Sequence, residues 1–237
     1  MISWPIHAIL RPERLVSVNN MTEGHGWIQT TIESVRLLSF YSLNLALYAT
    51  PLTLSGIGIS GRITPTKFVE SLLTNSAFLF VGTLLIFGTF HVGVVLSGKS
   101  SGLLRSLRAV TYSTGIYLAL GYTLVWFIST NPQTETASDL LIAIQGEFIY
   151  YFIDTLNVGL NLPGGRPDTV NLAGLTPIGE AVLILLAFAG LYTLYVLYVG
   201  SRIGHDANRA EALVATAFVL ISPALYAVGS ILYSLYV

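Results

Sequence analysis

The chain is 237 residues long, 53% hydrophobic and 10% charged, with a formal net charge of −1 and no cysteine. Ordinary soluble domains carry about a quarter charged residues, so this composition and a mean hydropathy of +0.71 describe a membrane chain. The near-zero charge and lack of a basic run exclude nucleic acid as a partner, and the missing cysteines exclude disulfides, thiolate metal sites and cysteine nucleophiles.

At the start, MISWPIHAILRPERL lacks the ordered basic, apolar and small-residue regions of a cleavable signal. Residues 1–36 are therefore expected to form a cytoplasmic amphipathic segment, with the first span itself directing insertion. Crossing the hydrocarbon core takes about 20 helical residues, and five uncharged stretches meet that length: Leu37–Ile59, Ser71–Ser97, Ala109–Pro132, Ala181–Ser201 and Ala212–Val237. β-Barrel strands would alternate apolar and polar residues, whereas FLFVGTLLIFGTFHVGVV, Phe78 to Val95, is continuously apolar. The expected fold is an all-α integral membrane protein with five transmembrane helices in a single domain over 37–237. Pro51 and Pro223 fall inside spans, and each is expected to kink its helix by removing a backbone hydrogen bond. Asn44 in the first span and His91 in the second are candidate functional groups, because polar side chains are costly at bilayer depth. The plainer reading of His91 is a hydrogen bond to a neighbouring helix.

The second span ends in GVVLSGKS, Gly93 to Ser100, which satisfies the phosphate-loop pattern G-x-x-x-x-G-K-[ST]. That motif works only between a short strand and a helix, and here it closes a long uncharged run. Lys99, Arg105 and Arg108 are instead expected in a cytoplasmic turn, with Gly93, Ser97 and Gly102 as small residues for close helix packing. No cofactor is expected. The four His, at 7, 25, 91 and 205, have no metal-ligand spacing.

The long third connection, 133–180, carries Glu135, Asp139, Glu147, Asp154 and Asp168 against Arg166 alone. Within it Leu140–Leu162 is apolar enough to suggest a sixth span. Glu147 and Asp154, seven residues apart, share a helical face with Tyr151 between them. An interfacial or re-entrant helix is the expectation, since charges at bilayer depth are expensive. The acidic pair is then either an ion-attracting vestibule or a solvated face. Glu180 opens the fourth span as a first-turn acid. Arg202 and Arg209 flank the last turn. Five spans with a cytoplasmic N-terminus and an external C-terminus put most of the basic residues inside and the acidic connection outside.

Three local features carry a resemblance: AILRPERLV (Ala8–Val16), SGLLRSLRAVTYSTGIYLAL (Ser101–Leu120) and YVLYVGSRIGHDANRAEALVAT (Tyr195–Thr216). Together they resemble the Yip family, five-span integral membrane proteins described as partners of Rab-type GTPases, with a prokaryotic branch. The resemblance implies this fold and topology, no catalytic residue, a prokaryotic cell membrane location, and a role in membrane organisation. The sequence is thus read as a non-enzymatic accessory protein that binds membrane proteins or lipids. The alternative is a small homo-oligomeric channel or transporter with His91, Glu147 and Asp154 on its path.

Overall fold

The computed structural model describes residues 11–13, 27–58, 64–157, 159 and 165–236. The described residues form helices and connecting turns. We label the helices α1 (Trp27–Gly58), α2 (Pro65–Leu96), α3 (Leu103–Thr130), α4 (Glu135–Thr155), α5 (Pro177–Gly204), α6 (Arg209–Val219) and α7 (Ser222–Tyr236). Among the described residues, three stretches are long and apolar enough to cross a membrane: α2, α5, and Arg209–Gly229 across α6 and the first half of α7. Their flanks leave Leu73, Phe188 and Leu191 more than 60% exposed, a surface that water does not tolerate as a continuous patch.

Helix ends follow local chemistry. Thr64 caps α2 by accepting from Lys67 N, with Pro65 in the first turn where its missing N–H costs nothing. Thr176 and Pro177 repeat the device at α5, and Asn208 with Glu211 forms a reciprocal capping box at α6. Every helix begins or ends away from its predicted limit, α4 included. α1 starts at Trp27, so it crosses the expected boundary at residue 36. Most of the N-terminal segment, including most of Ala8–Val16, lies outside the described residues.

The predicted last span is two helices. Leu220 and Ile221 donate back only three residues, to Ala217 and Phe218 carbonyls at 3.0 and 3.1 Å. Pro223 has no N–H for the Val219 carbonyl, and the Ser222 hydroxyl donates to it instead at 2.7 Å. At Pro51, by contrast, α1 continues as one helix.

α2, α3, α5 and α6 pack as a closed ring, each against the next, with α3 on α5 the most extensive contact. Phe90, Val94, Ala109, Val110, Leu197 and Ala215 fill its centre. Small residues permit this closeness: a Cβ on Gly93 would lie 2.9 Å from the Ala215 backbone, and one on Gly200 would lie 2.6 Å from Ala109 Cβ. α1 lies outside the ring against α3 and α2. The turns 97–102 and 205–208 lie at one end of the ring with Lys99, Arg105, Arg202 and Arg209; we call this the basic end. α4 packs across the opposite, acidic end. Its Ala137 meets Ile128 and Val182, and its Tyr150 and Ile153 meet Ile231 of α7.

Candidate functional site

Three polar side chains from separate elements converge at the basic end. Ser106, on the first turns of α3, is fully buried, as is His205, just past the end of α5. Ser106 Oγ lies 3.0 Å from His205 Nε2 and 2.8 Å from His91 Nδ1 on α2. The backbone N–H of Ser101 donates to His205 Nδ1 at 3.0 Å. Burial first, then the neighbouring His91 and Arg105, lower the His205 pKa to about 4, so the ring is neutral at pH 7.

These contacts order the protons. A neutral His205 that accepts at Nδ1 must carry its proton on Nε2, which donates to Ser106 Oγ. Ser106 Oγ shares a further hydrogen bond with His91 Nδ1, in the direction that the His91 tautomer sets, and His91 Nε2 makes no hydrogen bond among the described residues. The imidazole of His91 stacks on Phe87, with centroids 6.1 Å apart and planes 16° from parallel. Arg105 completes the end by donating to the Gly204 carbonyl at 3.0 Å, satisfying the C-terminus of α5.

A serine between two histidines is a pattern of nucleophilic catalysis, but the His205 nitrogen that faces Ser106 is a donor, and the Ser106 hydroxyl is fully buried with no open face toward a substrate.

GVVLSGKS is not a phosphate cradle. Gly93 is still inside α2, buried against α6, and Gly98 ends the helix in the left-handed region at φ 74°. Gly98 N donates to the Val95 carbonyl at 2.9 Å and Lys99 N to Val94 at 3.4 Å, the paired bonds of a Schellman stop. Helix, not strand, precedes the turn, and exposed Lys99 follows it. Arg108 is 4% exposed and forms an ion pair with Glu33 of α1, so it ties α1 to α3 instead of lying in a solvated turn.

Asn44 is 4% exposed and donates to the Phe40 carbonyl one turn earlier at 2.8 Å. It and His91 are not brought together. At the acidic end Arg166 grips Glu147 through two nitrogens at 2.7 and 2.8 Å and reaches Asp154 at 3.3 Å. This hydrogen bonding and charge hold the Glu147 carboxyl below its ordinary range. The aromatic on that face is Tyr150, whose ring lies 5.5 Å beneath the Arg166 guanidinium, whereas Tyr151 is 64% exposed. A lone Arg twelve residues from Asp154 gives no such signal in sequence, nor do Ser106 and His205, 99 residues apart.

A groove of about 340 Å³ runs between α1 and α2 and is floored by α3. Leu38, Tyr41, Phe80, Leu84 and Phe87 form its walls, with Leu104 and Leu107 beneath. It exists because α1 and α2 meet through Tyr48, Ala49 and Leu79, whereas nearer the basic end Leu37 and Phe40 turn to Tyr112 of α3. No family model, curated protein or solved structure matches the chain.

Proposed function

We propose that this chain is a non-enzymatic, multi-pass membrane protein of Yip-like organisation, accessory to other membrane components, that acts by binding lipid or protein in the plane of the bilayer. α1 and α3 join the three long apolar stretches as spans, and α4 lies at the membrane surface. The basic end faces the cytoplasm and the acidic end faces outward. The observation that carries this reading is the lateral groove, an unfilled apolar surface on the flank that meets the bilayer. Two further features support it. Ser106 and His205 are buried and hydrogen-bonded to each other, and the two carboxylates of the channel alternative are both engaged by Arg166.

The test is to extract the protein from its native membrane in polymer discs and measure the mass and composition of the particle. A reproducible complement of another polypeptide or of bound lipid supports the reading. A particle of this chain alone that passes ions in proteoliposomes sinks it.

A further inference from the structure

We propose that His205 is an acid-operated latch: its neutral imidazole holds turn 97–102 against the end of α5, and protonation releases that turn while the helix ring stays closed. The latch works whichever side of the membrane this end faces.

The turn is held by very little else. The Gly98 and Lys99 amides bond back into α2, and the Gly102 amide reaches only the Ser100 hydroxyl, at 3.5 Å. Among the described residues, the Ser101 N–H donating to His205 Nδ1 at 3.0 Å is the turn's one hydrogen bond to another element. Residues 98–102 are exposed, so little burial adds to that bond. Glycines flank it in the left-handed region, Gly98 at φ 74° and Gly102 at φ 107°, and Gly102 gives α3 no side-chain cap. A segment hinged at two glycines and tied by one bond moves without disturbing the helices it joins.

Donor and acceptor roles make the bond conditional. Nδ1 accepts from Ser101 only while it carries no proton. A second proton on the ring goes to that nitrogen and sets two N–H groups against each other, so this contact must part. Nε2 is a donor in both states and keeps Ser106, and Arg105 keeps the Gly204 carbonyl at 3.0 Å, so the end of α5 stays tied to α3. The charged groups that act on the ring are His91 from α2 and Arg105 from α3, and both oppose a positive charge. Asp206 beside it and Lys99 in the facing turn are exposed, and Phe90 of α2 encloses the ring edge-on at 6.3 Å. His205 makes no ion pair among the described residues, so its imidazolium gains by meeting water. The ring titrates at about 4 when closed against an ordinary 6.5, which means that acid favours the open turn; by linkage the opening constant rises about twentyfold from pH 7 to pH 5.

Hydrogen exchange of the full chain in polymer discs at pH 7 and pH 5, corrected for the intrinsic pH dependence of amide exchange, reads the latch. Peptides covering 99–104 should exchange about twentyfold faster at pH 5, while ring peptides around Val110 and Leu197 do not change. His205→Gln keeps an acceptor and cannot titrate, so it should hold the turn equally at both pH values. His205→Phe has no acceptor and should leave the turn fast at both. If neither variant shows a cooperative thermal transition, nitrogen resonances of the histidine-labelled parent decide: Nδ1 of His205 must gain its proton over the pH range in which 99–104 is released. Equal corrected exchange of 99–104 at the two pH values overturns the proposal, as does a rise that persists in His205→Gln or one without protonation of Nδ1. So does acceleration of the ring peptides together with the turn, because acid would then open the ring and not the latch.

Discussion

His205 is the residue whose protonation the fold resists most clearly. Its ordinary value is 6.5 and its value in the protein is about 4, chiefly through burial, a difference on the order of 3 kcal/mol by linkage. The unfolded chain binds the proton more readily, so stability is complete above about pH 6.5, falls as the pH drops, and has lost this contribution near pH 4. Unfolding midpoints in detergent between pH 7 and pH 4 should therefore decline, and His205→Gln should flatten the decline; an identical slope in the variant disproves the assignment. Arg166 is the opposite case, about half exposed with both carboxylates. Arg166→Gln should leave the midpoint nearly unchanged, as for most exposed ion pairs, while hydrogen exchange in 165–171 accelerates. Loss of the global fold in that variant contradicts this account. His91 and the acidic pair were legible as candidates because intramembrane or clustered polar residues stand out in an apolar sequence. Their partners were not, because Ser106 looks like any serine in a basic turn until α2, α3 and the end of α5 are brought together.

Among the elements, α2 shows most directly how one run of letters fits two accounts. Gly93 and Gly98 satisfy a nucleotide motif by spacing, yet one lets α6 approach and the other ends the helix. Gly93→Val must push the Ala215 backbone away and should cost about 1–3 kcal/mol, as overpacking typically does. Lys99→Ala should leave both stability and the absence of ATP or GTP binding unchanged, as judged by thermal unfolding and equilibrium dialysis. Measurable nucleotide binding by the parent that Lys99→Ala abolishes would restore the phosphate-loop reading. Hydropathy located the long apolar runs of α2, α5 and Arg209–Gly229, because such a run is a sum over many residues. It missed helix ends, which depend on caps such as Thr64 and Asn208, and it ran α6 and α7 together although Pro223 marked a kink. The Leu140–Leu162 prediction corresponds to α4, which begins five residues earlier, at Glu135.

For the whole molecule, the ring of α2, α3, α5 and α6 fixes which ends belong together, and that makes the proposed topology testable in a chain without native cysteine. Single cysteines at exposed Ser100 and Asp206 should react with an impermeant maleimide from the same side of the membrane, and one at exposed Glu135 from the other. Labelling of 100 and 206 from opposite sides refutes the arrangement. The helical class and the basic and acidic asymmetry could be read from composition and charge, since both are sums over many residues. The groove could not, because it is the space left where α1 leaves α2 for α3. The contact between α4 and α7 also bears on how the protein is made. Tyr150 and Ile153 leave the ribosome well before Ile231, and Phe78 well before Tyr226, which it meets edge-on at 5.4 Å. Until α7 arrives, those surfaces stand open at the membrane. A nascent chain stalled before Ser222 thus displays uncovered aromatic faces, the kind of unfinished surface by which chaperones and proteases recognise an incomplete membrane protein.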